Sequence, residues 1–203
     1  MTELNDYFTY LSTRSRLGLF YRKYWLHPRI ARHLDGQCID IGCGIGDFLF
    51  NRPQTVGVDI NPYTVNFCEQ RGLDARVMQP DVLPFDVNTF DSVLMDNVLE
   101  HLSDPAPLLL EVRRVMKKNG LLLIGVPGKR GWGSDPDHKV FYDERVLVST
   151  LSEAGFMPNK FFYTPFFRSY FLSRILRSYC IYGVFKLDVA LQDDVSVSSL
   201  ISI

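Results

Sequence analysis

The chain has 203 residues, 46% of them hydrophobic, enough for one domain with a sizeable core. A net charge of −1 excludes wholesale electrostatic binding of nucleic acid. No apolar stretch reaches the length of a membrane span, and the four cysteines (Cys38, Cys43, Cys68, Cys180) lack zinc-type or C-x-x-C spacing, so the expectation is a cytoplasmic protein with reduced thiols, no signal peptide and no metal.

Taken in chain order, Tyr7 to His33 reads as helical and rich in aromatic surface. Strands follow near 37–41, 55–59, 75–78, 91–96 and 120–126. Helices are expected near 46–51, 62–71, 105–117 and 143–154, giving a parallel sheet covered by helices. Asn61-Pro62 is a helix start, with Asn as cap and Pro in the first turn. Ser103 or Asp104 before Pro105 gives the same signal. Asn119-Gly120 and Gly155 read as C-caps. Phe161 to Phe185 should hold the last two strands, near 160–164 and 179–186, with a helix from Phe166 to Arg177 between them. The serine-rich stretch 188–203 reads as a flexible tail.

Asp40-Ile41-Gly42-Cys43-Gly44-Ile45-Gly46-Asp47-Phe48 joins the first strand to the first helix. Its alternating glycines allow sharp turning and close approach of a ligand. Asp59 closes the next strand, 17 residues after Gly42, where a carboxylate can accept hydrogen bonds from ribose hydroxyls. A dinucleotide fingerprint reads G-x-G-x-x-G and seats a pyrophosphate. Here Gly46 comes one residue early and Asp47 takes the last glycine's place. A carboxylate there would repel a pyrophosphate and suits an amine and a sulfonium.

This loop resembles the first motif, D/E-x-G-x-G-x-G, of the class I S-adenosylmethionine-dependent methyltransferases, in their small-molecule, type 11/12-like branch. Gly57-Val58-Asp59-Ile60-Asn61 resembles the second motif, Asp81-Val82-Leu83-Pro84-Phe85 the third-strand loop, and Phe90 to His101 the fourth strand and its exit. Pro105 to Pro127 resembles the following helix and fifth strand. The resemblance spans residues 36–156. It implies a Rossmann-like, doubly wound α/β fold with a mostly parallel seven-stranded sheet. Residues 1–187 would form one domain: a helical lid over 1–35, the cofactor core over 36–156, and the last strands with a helical insert over 157–187.

The resemblance also implies S-adenosyl-L-methionine as cofactor. Asp40, Gly42, Cys43 and Gly44 would surround its methionine part, Asp59 and Ile60 its ribose, and Asp81 and Val82 its adenine. Asn97 would lie near its amino group. Methyl transfer to a hydroxyl needs a base. His138, in a Gly/Pro-rich loop, and His101, after the fourth strand, are the candidates, with Asp96 third.

Asp96-Asn97-Val98-Leu99 is not the Asn/Asp-Pro-Pro-aromatic signature of enzymes methylating base or glutamine nitrogens. The expected acceptor is therefore a small or lipid-linked molecule, methylated at oxygen, and not nucleic acid. Charge gives that acceptor a sign. Met1 to Asp35 carries six basic residues against three acids, and Phe156 to Leu187 carries five basic residues and no acid. These two ends can present a basic surface to an anionic substrate or, as a lesser reading, to a membrane surface. Two rival readings are a non-catalytic binding module of the same fold and a nucleotide-dependent oxidoreductase.

Overall fold

A computed structural model of the chain describes residues 3–13 and 15–188; the expected tail beyond Asp188 lies outside them. The described residues contain a seven-stranded sheet: β1 (Cys38–Ile41), β2 (Thr55–Asp59), β3 (Ala75–Val77), β4 (Phe90–Asp96), β5 (Met116–Pro127), β6 (Phe156–Thr164) and β7 (Cys180–Leu187). The strand order is β3-β2-β1-β4-β5-β7-β6. The pairs from β3 to β5 are parallel, while β7 runs antiparallel to both β5 and β6. The doubly wound, mostly parallel architecture expected from the sequence is therefore present.

The N-terminal region forms α1 (Glu3–Ser12), α2 (Arg16–Tyr21), a wide π-type turn over Arg22–Leu26 and α3 (His27–Ala31). After β1 comes α4 (Asp47–Asn51), a single turn as the short Gly46-to-Asp59 spacing requires. α5 (Pro62–Glu69) starts where Asn61 accepts the Tyr63 N–H at 3.0 Å. α6 (Ala106–Val115) begins one residue late, with the Ala106 N–H on Asp104 Oδ1 at 3.0 Å. α7 (Lys129–Trp132), α8 (Glu144–Glu153) and α9 (Tyr170–Ile175) complete the set. Gly155 sits just past α8 at φ +81°, the left-handed conformation of a C-cap glycine.

Three expectations need correction. Asn119-Gly120 does not end a helix. α6 stops at Val115, and the pair lies within β5, where the register with β4 shifts between Phe90 and Ser92. The buried Val115 and Met116 pull the chain into the sheet early. A Cβ on Gly120 would stand 2.9 Å from the Lys117 carbonyl oxygen, so glycine admits the irregularity. β6 starts at Phe156 rather than near 160, because its antiparallel pairing with β7 runs the whole length. The helix expected over 166–177 is the shorter Tyr170–Ile175.

The core lies on both faces of β1, β4 and β5, whose residues are almost all buried, as a parallel sheet sandwiched by helices requires. The strand order turns back between β1 and β4. In such sheets the crevice beyond the carboxyl ends of those two strands is where ligands bind.

Candidate functional site

A cavity of about 380 Å³ occupies that crevice. Its floor is Asp40 from β1, the loop Gly42-Cys43-Gly44, and Asp96-Asn97 at the end of β4. Gly42 and Gly44 adopt φ +76° and +54°. A Cβ on Gly42 would come within 2.5 Å of Val98 Cγ2, so both backbone and packing demand glycine there. Ser15, Gly18, Tyr21 and Arg22 of the N-terminal helices form one wall; His101, Ser134, Asp135 and His138 form the other.

Of the residues expected from the sequence, the fold brings Asp40, Gly42, Cys43, Gly44, Asn97, His101 and His138 together around this cavity. Asp59, Ile60, Asp81 and Val82 lie at the neighbouring ends of β2 and β3, outside the cavity lining. Asp59 is tied to the glycine loop all the same. Its Oδ2 accepts the Gly44 N–H and its Oδ1 the Asn61 N–H, each at 2.8 Å. Ile60 and Val82 are exposed apolar side chains. Asp81 and Asn97 both hold positive φ, +59° and +58°, a conformation that costs free energy in non-glycine residues and clusters at functional sites.

Asp40 is buried, and no hydrogen bond from the described residues reaches its carboxylate. Burial, then the nearby Asp96 and Asp59, push its pKa well above the ordinary range, against the pull of Arg22. Burial also raises Asp59, opposed by the Asn61 and Gly44 amides. Asp96, third candidate for a base, is held in place by three neighbours. Its Oδ1 accepts from the Tyr182 hydroxyl at 2.8 Å and from Asn97 Nδ2 at 3.0 Å, while Arg22 approaches Oδ2 at 3.7 Å. Arg22 also lies 3.6 Å from Asp47. Burial lowers its pKa, but Asp96, Tyr182 and Asp47 together leave it raised.

The two histidines meet with ring centroids 4.6 Å apart. His138 Nδ1 lies 2.8 Å from the Trp132 carbonyl oxygen. A carbonyl only accepts, so Nδ1 carries the proton and Nε2 is bare in the neutral ring. Burial, then His138, lower the His101 pKa, which keeps it neutral near pH 7.

Sequence reasoning missed three residues here. Arg22 lines the cavity against Asp47 and Asp96, Tyr182 fixes Asp96, and Glu100 is completely buried beside the histidines with its pKa pushed up to about 8 by burial. Arg22 was one of six basic residues in the N-terminal stretch, and nothing in the pattern singled it out. A glutamate next to a candidate histidine was the signal for Glu100. Nothing local marks Tyr182.

The chain matches the protein family described as a methyltransferase domain over residues 39–124. It is 33% identical over 132 residues to an uncharacterised protein of Methanocaldococcus jannaschii, a match covering 64% of this chain and 62% of that protein. It is 31% identical over 149 residues to the Homo sapiens protein named "Probable tRNA methyltransferase 9B", covering 68% of this chain and 31% of the relative. The chain thus spans less than two thirds of the length of either. Among solved structures, an S-adenosylmethionine-dependent methyltransferase of Thermotoga maritima superposes with a TM-score of 0.70 at 20% identity, over 91% of this chain and 99% of that one. That likeness is one of fold.

Proposed function

We propose that the chain is a class I S-adenosylmethionine-dependent methyltransferase, a reading supported by the methyltransferase-domain match over residues 39–124, and that it transfers a methyl group from this cofactor to the oxygen of a small or lipid-linked acceptor. The observation that carries the reading is Asp40, a buried carboxylate without a hydrogen-bond partner among the described residues, lining a cavity beside two left-handed glycines. Asp40, Asp47, Asp96 and Asp135 line that cavity with Arg22 and Arg177. The excess of carboxyl over guanidinium groups suits a ligand bearing an ammonium and a sulfonium and opposes a pyrophosphate, against the oxidoreductase reading.

The residues fit the cofactor. Asp40 and Asn97 would hold its amino group, and Arg22 its carboxylate. Asp59 would accept from the ribose hydroxyls with the lone pairs that Gly44 and Asn61 leave open. Ile60 and Val82 would flank the adenine, with Asp81 at its edge. When bound, S-adenosylmethionine supplies a methyl on a sulfonium whose departure leaves a neutral thioether. The chain's tasks are then to orient an acceptor oxygen, exclude water and take one proton. His138 Nε2, bare because Nδ1 is committed to the Trp132 carbonyl, and the neutral His101 are placed to take it.

The acceptor side is apolar and basic. Residues 16–34 and 156–187 contain no acid, and the two segments touch where Trp25 Nε1 donates to the Pro165 carbonyl at 2.9 Å. Phe20, Phe167 and Tyr170 are 62%, 67% and 69% exposed there, and Lys23, Arg29 and Arg174 lie over Tyr24, Trp25 and Tyr170 at 5.1–5.8 Å. An amphipathic acceptor with an anionic head fits this collar. Among the described residues no helix is long and apolar enough to cross a membrane. A structured RNA acceptor is the second reading, favoured by the relative named for tRNA methylation.

Incubation with methyl-labelled S-adenosylmethionine and three acceptor pools tests this: sugar nucleotides, polar and lipid extracts, and total tRNA. Label entering the first two pools, in an alkali-stable ether or alkali-labile ester, supports the proposal. Label in tRNA alone replaces the acceptor, and no label in any pool favours the binding-module reading.

A further inference from the structure

Three ligand-type side chains meet at the rim of the cavity. Glu100, His101 and His138 place one carboxylate oxygen and two imidazole nitrogens within 4.8 Å of one another. The sequence spacing gives no zinc-type pattern, because the third member lies 37 positions after the second. The fold closes that gap. The Glu100 carbonyl accepts the N–H groups of Lys139 and Val140 at 2.7 and 3.1 Å, which pins the His138 loop against the fourth strand's exit.

Glu100 is 0% exposed, and neither of its carboxylate oxygens has a hydrogen-bond partner among the described residues. His138 Nε2 stands 3.8 Å from Oε1, beyond hydrogen-bond range. Buried carboxylates in folded proteins are paired, hydrogen-bonded or bound to a metal. The surroundings are organised for the last of these. His138 Nδ1 donates to the Trp132 carbonyl, and Trp132 is itself fixed by its Nε1 donating to the Val140 carbonyl at 3.0 Å. Nε2 is therefore turned towards Glu100 with its lone pair free. One imidazole nitrogen on a backbone carbonyl and the other on the ion is the usual support for a metal-bound histidine.

We infer that Glu100, His101 and His138 form a binding site for one first-row divalent transition-metal cation, open on the cavity side. Two imidazoles and a carboxylate with vacant positions are a donor set for such ions rather than for magnesium or calcium. Bonds of about 2.1 Å put neighbouring ligands roughly 3–3.4 Å apart. The 3.8 Å between Glu100 and His138 closes to that by small side-chain rotations. His101 and His138 line the cavity, so an acceptor oxygen can reach the open positions. This role rests on the methyltransferase reading; the binding does not. A cation there acidifies an acceptor hydroxyl, and the imidazoles then serve as ligands instead of bases.

The test uses the full chain, free of any affinity tag and stripped with a chelator. It is titrated with Zn²⁺ and Mn²⁺ by calorimetry and with Co²⁺ by visible absorption. The expected result is one equivalent bound at micromolar affinity, with Co²⁺ ligand-field bands. Glu100→Gln and His138→Ala should each weaken binding at least tenfold while circular dichroism stays unchanged. Should the buried Glu100→Gln variant unfold, His138→Ala at the rim carries the same comparison. Wild-type binding no tighter than millimolar, or wild-type affinity in the folded variants, overturns the site. S-adenosylmethionine is titrated into the same samples. Its failure to bind while the metal binds overturns the methyltransferase reading alone, and the reverse overturns the metal site alone.

Discussion

Replacing Arg22 with Met removes the guanidinium that lies against Asp47 and Asp96. Breaking a fully buried ion pair costs about 3–5 kcal/mol, because the remaining charge is left uncompensated. Here the Arg22 side chain is 26% exposed and its contacts to Asp47 and Asp96 are 3.6 and 3.7 Å, so the expected loss is smaller, roughly 2 kcal/mol. For a chain of this size that lowers the melting temperature by about 4–8 °C. The sign of the pH dependence follows from Asp40. Its folded pKa is already raised, so the folded state holds a proton that the unfolded state releases, and ionising Asp40 costs stability as pH rises from the ordinary aspartate range through the folded value. Arg22 opposes that rise, and without it the penalty at neutral and higher pH grows. The gap between wild type and Arg22→Met should be widest near pH 8 and shrink towards pH 5, as followed by thermal melts at constant ionic strength. Equal melting temperatures, or a gap that widens on acidification, would refute the argument that Arg22 compensates this cluster.

Three more outcomes follow from the same geometry. Gly42→Ala forces a Cβ to 2.5 Å from Val98 at φ +76°, so it should cost about 1–3 kcal/mol in urea unfolding and weaken S-adenosylmethionine binding by calorimetry; wild-type values in both would show that the loop needs no glycine. Asp59→Ala removes the carboxylate proposed to accept from the ribose and should weaken cofactor affinity roughly ten- to hundredfold, measured in the same titration. Tyr182→Phe deletes the 2.8 Å hydrogen bond to Asp96 while keeping the stack on Phe162, whose ring centroid is 4.9 Å away. It should lower unfolding free energy by about 1–2 kcal/mol, and a neutral result would mean Asp96 is not held by that hydroxyl.

What was legible in the sequence is what is encoded locally. The glycine loop, Asp59 at a strand end, the Asn61-Pro62 cap and the apolar strand runs each declare themselves within a few residues. What was not legible depends on contacts between distant segments. β5 begins at Met116 because the sheet's core claims Val115 and Met116, and no local signal opposes reading that stretch as the end of a helix. Glu100 and His138 face each other only because the Lys139 and Val140 amides bind the Glu100 carbonyl. Arg22 reaches Asp47 and Asp96 because the N-terminal helices fold over the crevice, through a wide turn that the sequence pattern does not specify. The cradle could thus be read from motifs, while its charge balance and the cluster at its rim required the fold.

The most direct test of the central claim is calorimetric titration of the purified chain with S-adenosylmethionine, S-adenosylhomocysteine and NADH, with Asp40→Asn alongside. One site of micromolar affinity for the first two ligands, weakened for S-adenosylmethionine in Asp40→Asn, is the predicted result. Binding of NADH alone, or no heat from any of the three, would contradict the assignment of this cavity to a sulfonium cofactor.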